Sequence, residues 1–255
     1  MIQSNAEDAH AVVAEHLVRL YLRLNGYLLL GGYLLHLPKR GAEGLRTEID
    51  ALAVRFPYQR EPLHDGPDRR EQKNDSGLVL PKGTKLIDFV VVEVKTGEKP
   101  RFNDPVVKDD KGAQHNIEDL LNMLGCFEEQ EEIREAARRL LEQLQASRPD
   151  GPPTYALRNR RAQIRFLLFW DPAGDVKADR FFIPLSRVLK FVAERTERGG
   201  SCAPYSRWYA KWRGLDLCIL KVLDELRSPS SARENRSEIE QRILRTLGKD
   251  VFCLL

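Results

Sequence analysis

In the stretch FVVVEVKTG, residues 89 to 97, four apolar residues (Phe89 to Val92) run into Glu93 and Lys95, two positions apart. An apolar run of this kind suits a strand buried in the middle of a sheet. Successive residues of a strand point to opposite faces, so Glu93 and Lys95 share one side and Val94 takes the other. Upstream, RTEIDALAVRF (residues 46 to 56) reads as a second strand, with Glu48 and Asp50 on a common face. If the two strands pair, Asp50, Glu93 and Lys95 fall in one patch, with Glu48 nearby. Neighbouring carboxylates in a partly buried site repel and cost stability unless something neutralises them. A hard divalent cation does this: Mg²⁺ takes one or two carboxylates, keeps several waters and leaves room for a phosphate oxygen. A lysine beside such an ion could orient or deprotonate an attacking water and stabilise charge in a transition state.

A further carboxylate lies on the first predicted helix, residues 8 to 25. Val13, Leu17, Leu20 and Leu24 recur there at spacings of three and four, and Asn25-Gly26 supplies the stop. Glu15 has Ala11, Val12, Val18 and Leu22 as its three-, four- and seven-residue neighbours and so interrupts an apolar stripe. A carboxylate placed there needs a partner, and the same metal cluster is a candidate.

The elements that must carry these groups can be read in order. Tyr27 to Leu37 is a first strand, bent at Gly31-Gly32; Arg46 to Phe56 is the second and Lys85 to Lys95 the third. Between the last two, residues 57 to 84 hold Pro57, Pro62, Pro67 and Pro81 among many charges, and read as a mobile excursion outside the core. Residues 97 to 116 read as a loop, followed by one long helix from Ile117 to Gln145 that the breaker RPDGPP ends. A fourth strand, QIRFLLFW (163 to 170), a short fifth at Arg180 to Pro184 and a helix from Leu185 to Arg195 follow. Helices near 215 to 226 and 237 to 247 close the chain. The order predicts an α/β protein with a mixed sheet.

The set of an Asp on one strand, Glu-x-Lys at the end of the next apolar strand and a Glu on the preceding helix resembles the PD-(D/E)xK nuclease superfamily, the restriction-endonuclease-like fold. TEIDALAV and FVVVEVKTG are especially similar to the archaeal Holliday-junction resolvases and related stand-alone nucleases. Where the family has Pro before the aspartate, this chain has Ile49. The resemblance spans roughly residues 8 to 170 and is carried by these short motifs. It implies an αβββαβ core whose mixed sheet is flanked by helices: residues 1 to 195 with the insertion at about 57 to 84, then a helical C-terminal extension over 196 to 255. It also implies that Asp50, Glu93, the backbone carbonyl of Val94 and Glu15 bind Mg²⁺, with Mn²⁺ able to substitute. Lys95 would be the catalytic lysine, acting with Asp50, Glu93 and Glu15.

The activity so implied is hydrolysis of phosphodiester bonds in DNA by an endonuclease of defence against foreign DNA or of DNA repair. Two alternatives stand beside it. One is cleavage of RNA, because such a metal site does not read the 2′-hydroxyl. The other is a nuclease-fold module without turnover that binds nucleic acid or protein; the intact set Glu15, Asp50, Glu93 and Lys95 argues against it. Asp88 lies an odd number of residues from Glu93 and joins the site only if the strand is bulged. Gln114 falls just before the long helix, where several superfamily members place a polar group beside the site; it can equally be a helix start.

Charge distribution bears on partners. Over 255 residues the net charge is only +3, yet Glu118 to Glu142 carries eight acidic and three basic residues, while Tyr155 to Arg213 carries thirteen basic and five acidic. Arg158, Arg160, Arg161 and Arg165 in the basic segment are the candidates for holding phosphates. Trp208 and Trp212 either stack on unpaired bases or pack into the core. The acidic helix is a solvated face or a surface for a partner protein or a second subunit, a homodimer included. The five histidines show no zinc-ligand spacing. The four cysteines form no CxxC pair, which points to a reducing cytoplasm. No apolar run approaches the ~20 residues of a membrane span, and MIQSNAEDAH lacks the features of a secretory signal.

Overall fold

In a computed structural model of the chain, the stretch FVVVEVK (89–95) lies in the middle strand of a sheet. The structure describes residues 2–30, 33–35, 47–57, 74–78, 85–96, 101–107, 111–146, 151–157, 161–170 and 181–197. The chain divides into two compact units. One comprises Met1–Gly26, Arg60–Leu80 and Pro184–Leu255; the other comprises Tyr27–Gln59 and Pro81–Ile183. The expected C-terminal extension, residues 196 to 255, lies outside the described residues apart from the end of one helix.

The second unit holds a six-stranded mixed sheet. Its strands are β1 (Leu28–Leu30), β4 (Ala51–Arg55), β5 (Ile87–Lys95), β7 (Ala162–Trp170) and β6 (Thr154–Leu157) in spatial order, with β8 (Ile183–Pro184) also on β7. A separate antiparallel pair joins β2 (Tyr33–Leu35) to β3 (Thr47–Ile49). β5 runs antiparallel to β4 and parallel to β7. The parallel pairing requires a crossover, and three helices supply it: α2 (Asp104–Val107), α3 (Lys111–Leu124) and α4 (Gln130–Gln145).

Alternation along β5 sorts its side chains between two environments. Ile87, Phe89 and Val91 lie on the face that shares a core with Ile117, Leu120 and Leu121 of α3 and with Ile133, Ala136, Ala137 and Leu140 of α4. Ile164, Phe166 and Leu168 of β7 extend the same layer. Each fully buried Leu or Phe here contributes roughly 1.5–3 kcal/mol relative to exposure.

Asp88 is on the opposite face and is only 2% exposed. Arg165 grips it with Nε at 2.9 Å from Oδ1 and a second nitrogen on Oδ2. Gln163 donates to Oδ1 at 2.9 Å, and the Tyr27 hydroxyl donates to Oδ2. Burial, then the Asp88 charge beside it, pushes the Tyr27 phenol well above its ordinary value, so it stays a donor. β5 is unbulged, so Asp88 belongs to this network and is no ligand beside Glu93. Arg165 likewise is a core ion pair, not a DNA-facing cation: its side chain is 8% exposed. A one-residue slip of β5 would move Asp88 into the apolar layer, so the network holds the register.

In the first unit, α1 (Ile2–Leu24) packs on α5 (Leu185–Glu197), with Tyr21 edge-on to Phe191 at 5.2 Å. α1 ends where expected, Gly26 taking the left-handed φ of 81° that glycine tolerates. The polar insertion departs from expectation: Asp75 and Leu78 are buried. Asp75 accepts from the Tyr21 hydroxyl (2.8 Å), the Gly77 N–H (2.8 Å) and Arg187 Nε (2.9 Å), while its own N–H donates to Asn25 (2.7 Å). Prolines and charges elsewhere in the insertion hid one carboxylate that the two helices bind.

Other elements differ as well: the expected first strand is two, β1 and β2, in different sheets, and the expected loop at 97 to 116 holds α2 and the start of α3. The single helix expected from Ile117 to Gln145 is two, because Gly125 at φ 62° turns the chain between α3 and α4. The expected 46–56 strand breaks at Asp50 into β3 and β4. The edge strand β6 was not anticipated; its four residues TYAL carry too little periodicity to announce it. Among the described residues, no helix is long and apolar enough to cross a membrane.

Arg165→Ala or Asp88→Ala should cost about 3–5 kcal/mol by urea unfolding, because either leaves a buried charge uncompensated. Acid should act in two windows. Burial, then the Arg19 charge, pushes the His16 imidazole from 6.5 down to about 4. The unfolded chain therefore takes up a proton first, and stability falls as pH drops from about 6.5 to about 4. For Asp75, burial alone would raise the carboxyl, but bonds from Arg187, Gly77 and Tyr21 outweigh it and hold the group below its ordinary value. Its contribution is present above the unfolded carboxylate range, about 4, and is lost as pH falls further. Urea midpoints measured against pH should show His16→Gln flattening the upper window and Asp75→Asn the lower.

Candidate active site

The ladder between β4 and β5 ends with Ala51 opposite Val92. One step further along this antiparallel register sets Asp50 opposite Glu93, on the same face as Lys95. Asp50 stands at the bend between β3 and β4, which frees its side chain from strand geometry. Its Oδ2 accepts the Val94 N–H at 2.6 Å, closing the ladder with a side chain where the β4 backbone has turned away. The same bond carries the carboxylate to the backbone between Glu93 and Lys95.

Glu93 is 3% exposed. A carboxylate so buried needs a counter-charge, and the Lys95 ammonium provides it through a close contact with Oε1. Lys95 is more open, 27% exposed, and donates a hydrogen bond to Asn103 Oδ1 at 2.7 Å. Thus Asp50, Glu93 and Lys95 are brought together within one unit, at the end of the strand that presents them. Two carboxylates and one ammonium leave a formal charge of −1.

These residues suit a hard cation. Asp50, Glu93 and the Val94 carbonyl are oxygen donors of the kind Mg²⁺ takes. Among the described residues no group of three or more His, Cys, Asp or Glu could hold a metal ion. An ion here would therefore complete its shell from water and a phosphate oxygen, as Mg²⁺ ordinarily does.

Glu15 belongs to the first unit, on α1, where Arg19 one turn on is a partner to its carboxylate at 3.5 Å. Gln114 is inside α3, not ahead of a helix, and donates to Glu118 on the same helix at 2.8 Å. Arg161 is exposed in the turn before β7, and its carbonyl accepts the Ile87 N–H. Arg158 and Arg160 lie outside the described residues, as do Trp208 and Trp212. Glu48 falls in β3, opposite Leu34 of β2.

Asn103 is not among the residues the sequence singles out, because it falls where residues 97 to 116 read as a loop. The available signal was an Asn directly before a short helix, a common helix-start residue; nothing in the sequence pointed it at Lys95.

The pairing of Lys95 with Glu93 generates a double-mutant test. Lys95→Met should cost about 1–3 kcal/mol by removing the Lys95 charge from the buried Glu93 carboxylate. Glu93→Gln combined with Lys95→Met should cost less than the two single changes summed, a coupling of about 0.5–3 kcal/mol in urea unfolding. Comparison of the chain with family models, with curated proteins and with solved structures finds no match.

Proposed function

We propose that the chain is a Mg²⁺-dependent nuclease of the restriction-endonuclease-like fold that hydrolyses phosphodiester bonds of DNA. The observation that carries this reading is the convergence of Asp50, Glu93 and Lys95 on one face at the end of β5. The order helix, strands up to β5, crossover helices, then β7 parallel to β5 agrees with an αβββαβ core and supports the same reading.

Bound Mg²⁺ would act as a Lewis acid at the scissile phosphate and raise the acidity of water. The chain's own groups have distinct tasks. Asp50 and Glu93, with the Val94 carbonyl, form the anionic donor edge. Lys95, held between Glu93 and Asn103, supplies a positive N–H donor where negative charge develops on a phosphate oxygen, or orients the attacking water. Asp50 also ties its carboxylate to the Val94 backbone, so the donor edge is positioned before substrate arrives.

DNA is favoured by the stand-alone nucleases that the two motifs resemble, and defence or repair is the corresponding setting. The donor edge itself does not distinguish the sugar, so RNA cleavage is an outcome of the test. The decisive experiment offers plasmid, linear and single-stranded DNA and an RNA to the protein with Mg²⁺, Mn²⁺ or EDTA. Wild type should cut DNA only with metal, and Asp50→Ala and Lys95→Ala should each lower the rate about 10²- to 10⁴-fold with folding intact. Glu15→Ala measures whether the helix carboxylate contributes. Cutting that survives EDTA, or variants as active as wild type, would remove the assignment; binding of nucleic acid without cleavage would point to the inactive module.

A further inference from the structure

Lys95 ends in a long flexible stem, and holding such a side chain in one conformation costs up to about 2 kcal/mol of rotamer freedom. An ammonium that acts on a reacting phosphate works best when this ordering is complete before the substrate binds. The Glu93 carboxylate alone does not settle the direction of the ammonium, because an ion pair is weakly directional. A second acceptor at a defined angle does.

We propose that Asn103 is a positioning residue for Lys95, an inference that rests on the nuclease reading above. Its Oδ1 lies 2.7 Å from Nζ. Glu93 holds the ammonium by charge as an ion pair, and the Asn103 acceptor fixes its direction. Asn103 is itself held in place. Its carbonyl accepts the Val106 N–H at 2.8 Å, starting α2. Phe102 before it is 5% exposed and edge-on to Phe166 of β7 at 5.8 Å; Val106 after it is 5% exposed. The amide oxygen is thus delivered from a packed frame tied to the same sheet that carries Lys95.

What the place requires is a hydrogen-bond acceptor, and Asn supplies its mildest form. A neutral amide oxygen orients the ammonium without adding a third negative charge to Asp50 and Glu93. Asn103 touches no reacting atom and acts only through Lys95.

The test compares wild type, Asn103→Ala and Asn103→Asp with Lys95→Ala in metal-dependent cleavage, alongside Mg²⁺ binding by calorimetry and urea unfolding. Asn103→Ala should lower kcat about 10- to 100-fold while KM, Mg²⁺ affinity and the urea midpoint stay close to wild type. Asn103→Asp, which restores an acceptor, should recover much of the loss. Unchanged kcat in Asn103→Ala would overturn the inference, and so would a loss that tracks falling stability and is not rescued by Asp. A second readout does not depend on cleavage. With ¹⁵N-labelled lysine, the Lys95 ammonium should give a protected resonance in wild type that disappears in Asn103→Ala. If wild type cuts nothing, the nuclease reading falls, and this resonance alone decides the contact: its persistence in Asn103→Ala overturns the positioning role.

Discussion

The grip of Arg165 on Asp88 is the interaction on which the sheet's arrangement depends. It couples the two parallel strands β5 and β7 on the face away from α3 and α4, and the Tyr27 hydroxyl draws the entry to β1 into the same cluster. An ion pair this deep is a weak source of net stability, since desolvation offsets most of the attraction. Its value is discrimination. Any shift of β5 by one residue would strand a charge among apolar side chains, while the hydrophobic layer of valines alone would tolerate neighbouring registers far better.

From that register the site follows. With Asp88 committed to one face, Glu93 and Lys95 are committed to the other, five and seven residues further along. β4 must then meet β5 so that its first residue, Ala51, faces Val92, which leaves Asp50 at the bend opposite Glu93. The bend is what lets the Asp50 carboxylate reach the Val94 N–H instead of continuing the ladder. One strand therefore carries a structural charge at its start and a candidate chemical pair at its end. The two are kept apart by alternation and by the apolar stretch between them.

The first unit uses a similar device at a different scale. Asp75, from a segment whose composition suggests only an excursion, is bound by Tyr21 and Asn25 of the α1 end and by Arg187 of α5. Gly77 admits this arrangement because a Cβ there would overlap the Arg187 guanidinium. A single carboxylate with several donors can thus anchor a loop that carries little apolar surface. Composition over a window averages that carboxylate with its exposed neighbours and misses it.

What the sequence determined by itself was local and periodic. The apolar run before Glu93, the alternation that puts Lys95 on the same side, the α1 stop at Asn25-Gly26 and the α/β order all follow from residue type and spacing. So did the choice of Asp50, Glu93 and Lys95 as a group, and the structure sets these three side by side. Only the tertiary structure decided which charges are structural. Arg165 and Arg161 look alike in a basic segment, yet one is locked to Asp88 in the core and the other is exposed, because burial depends on which strand lies alongside. The same holds for Asn103: eight residues past Lys95 in the chain, it becomes a partner only when the packing of Phe102 and Val106 returns that segment to the end of β5. Periodicity reports the face a residue takes on its own element; what stands opposite that face is set by long-range packing.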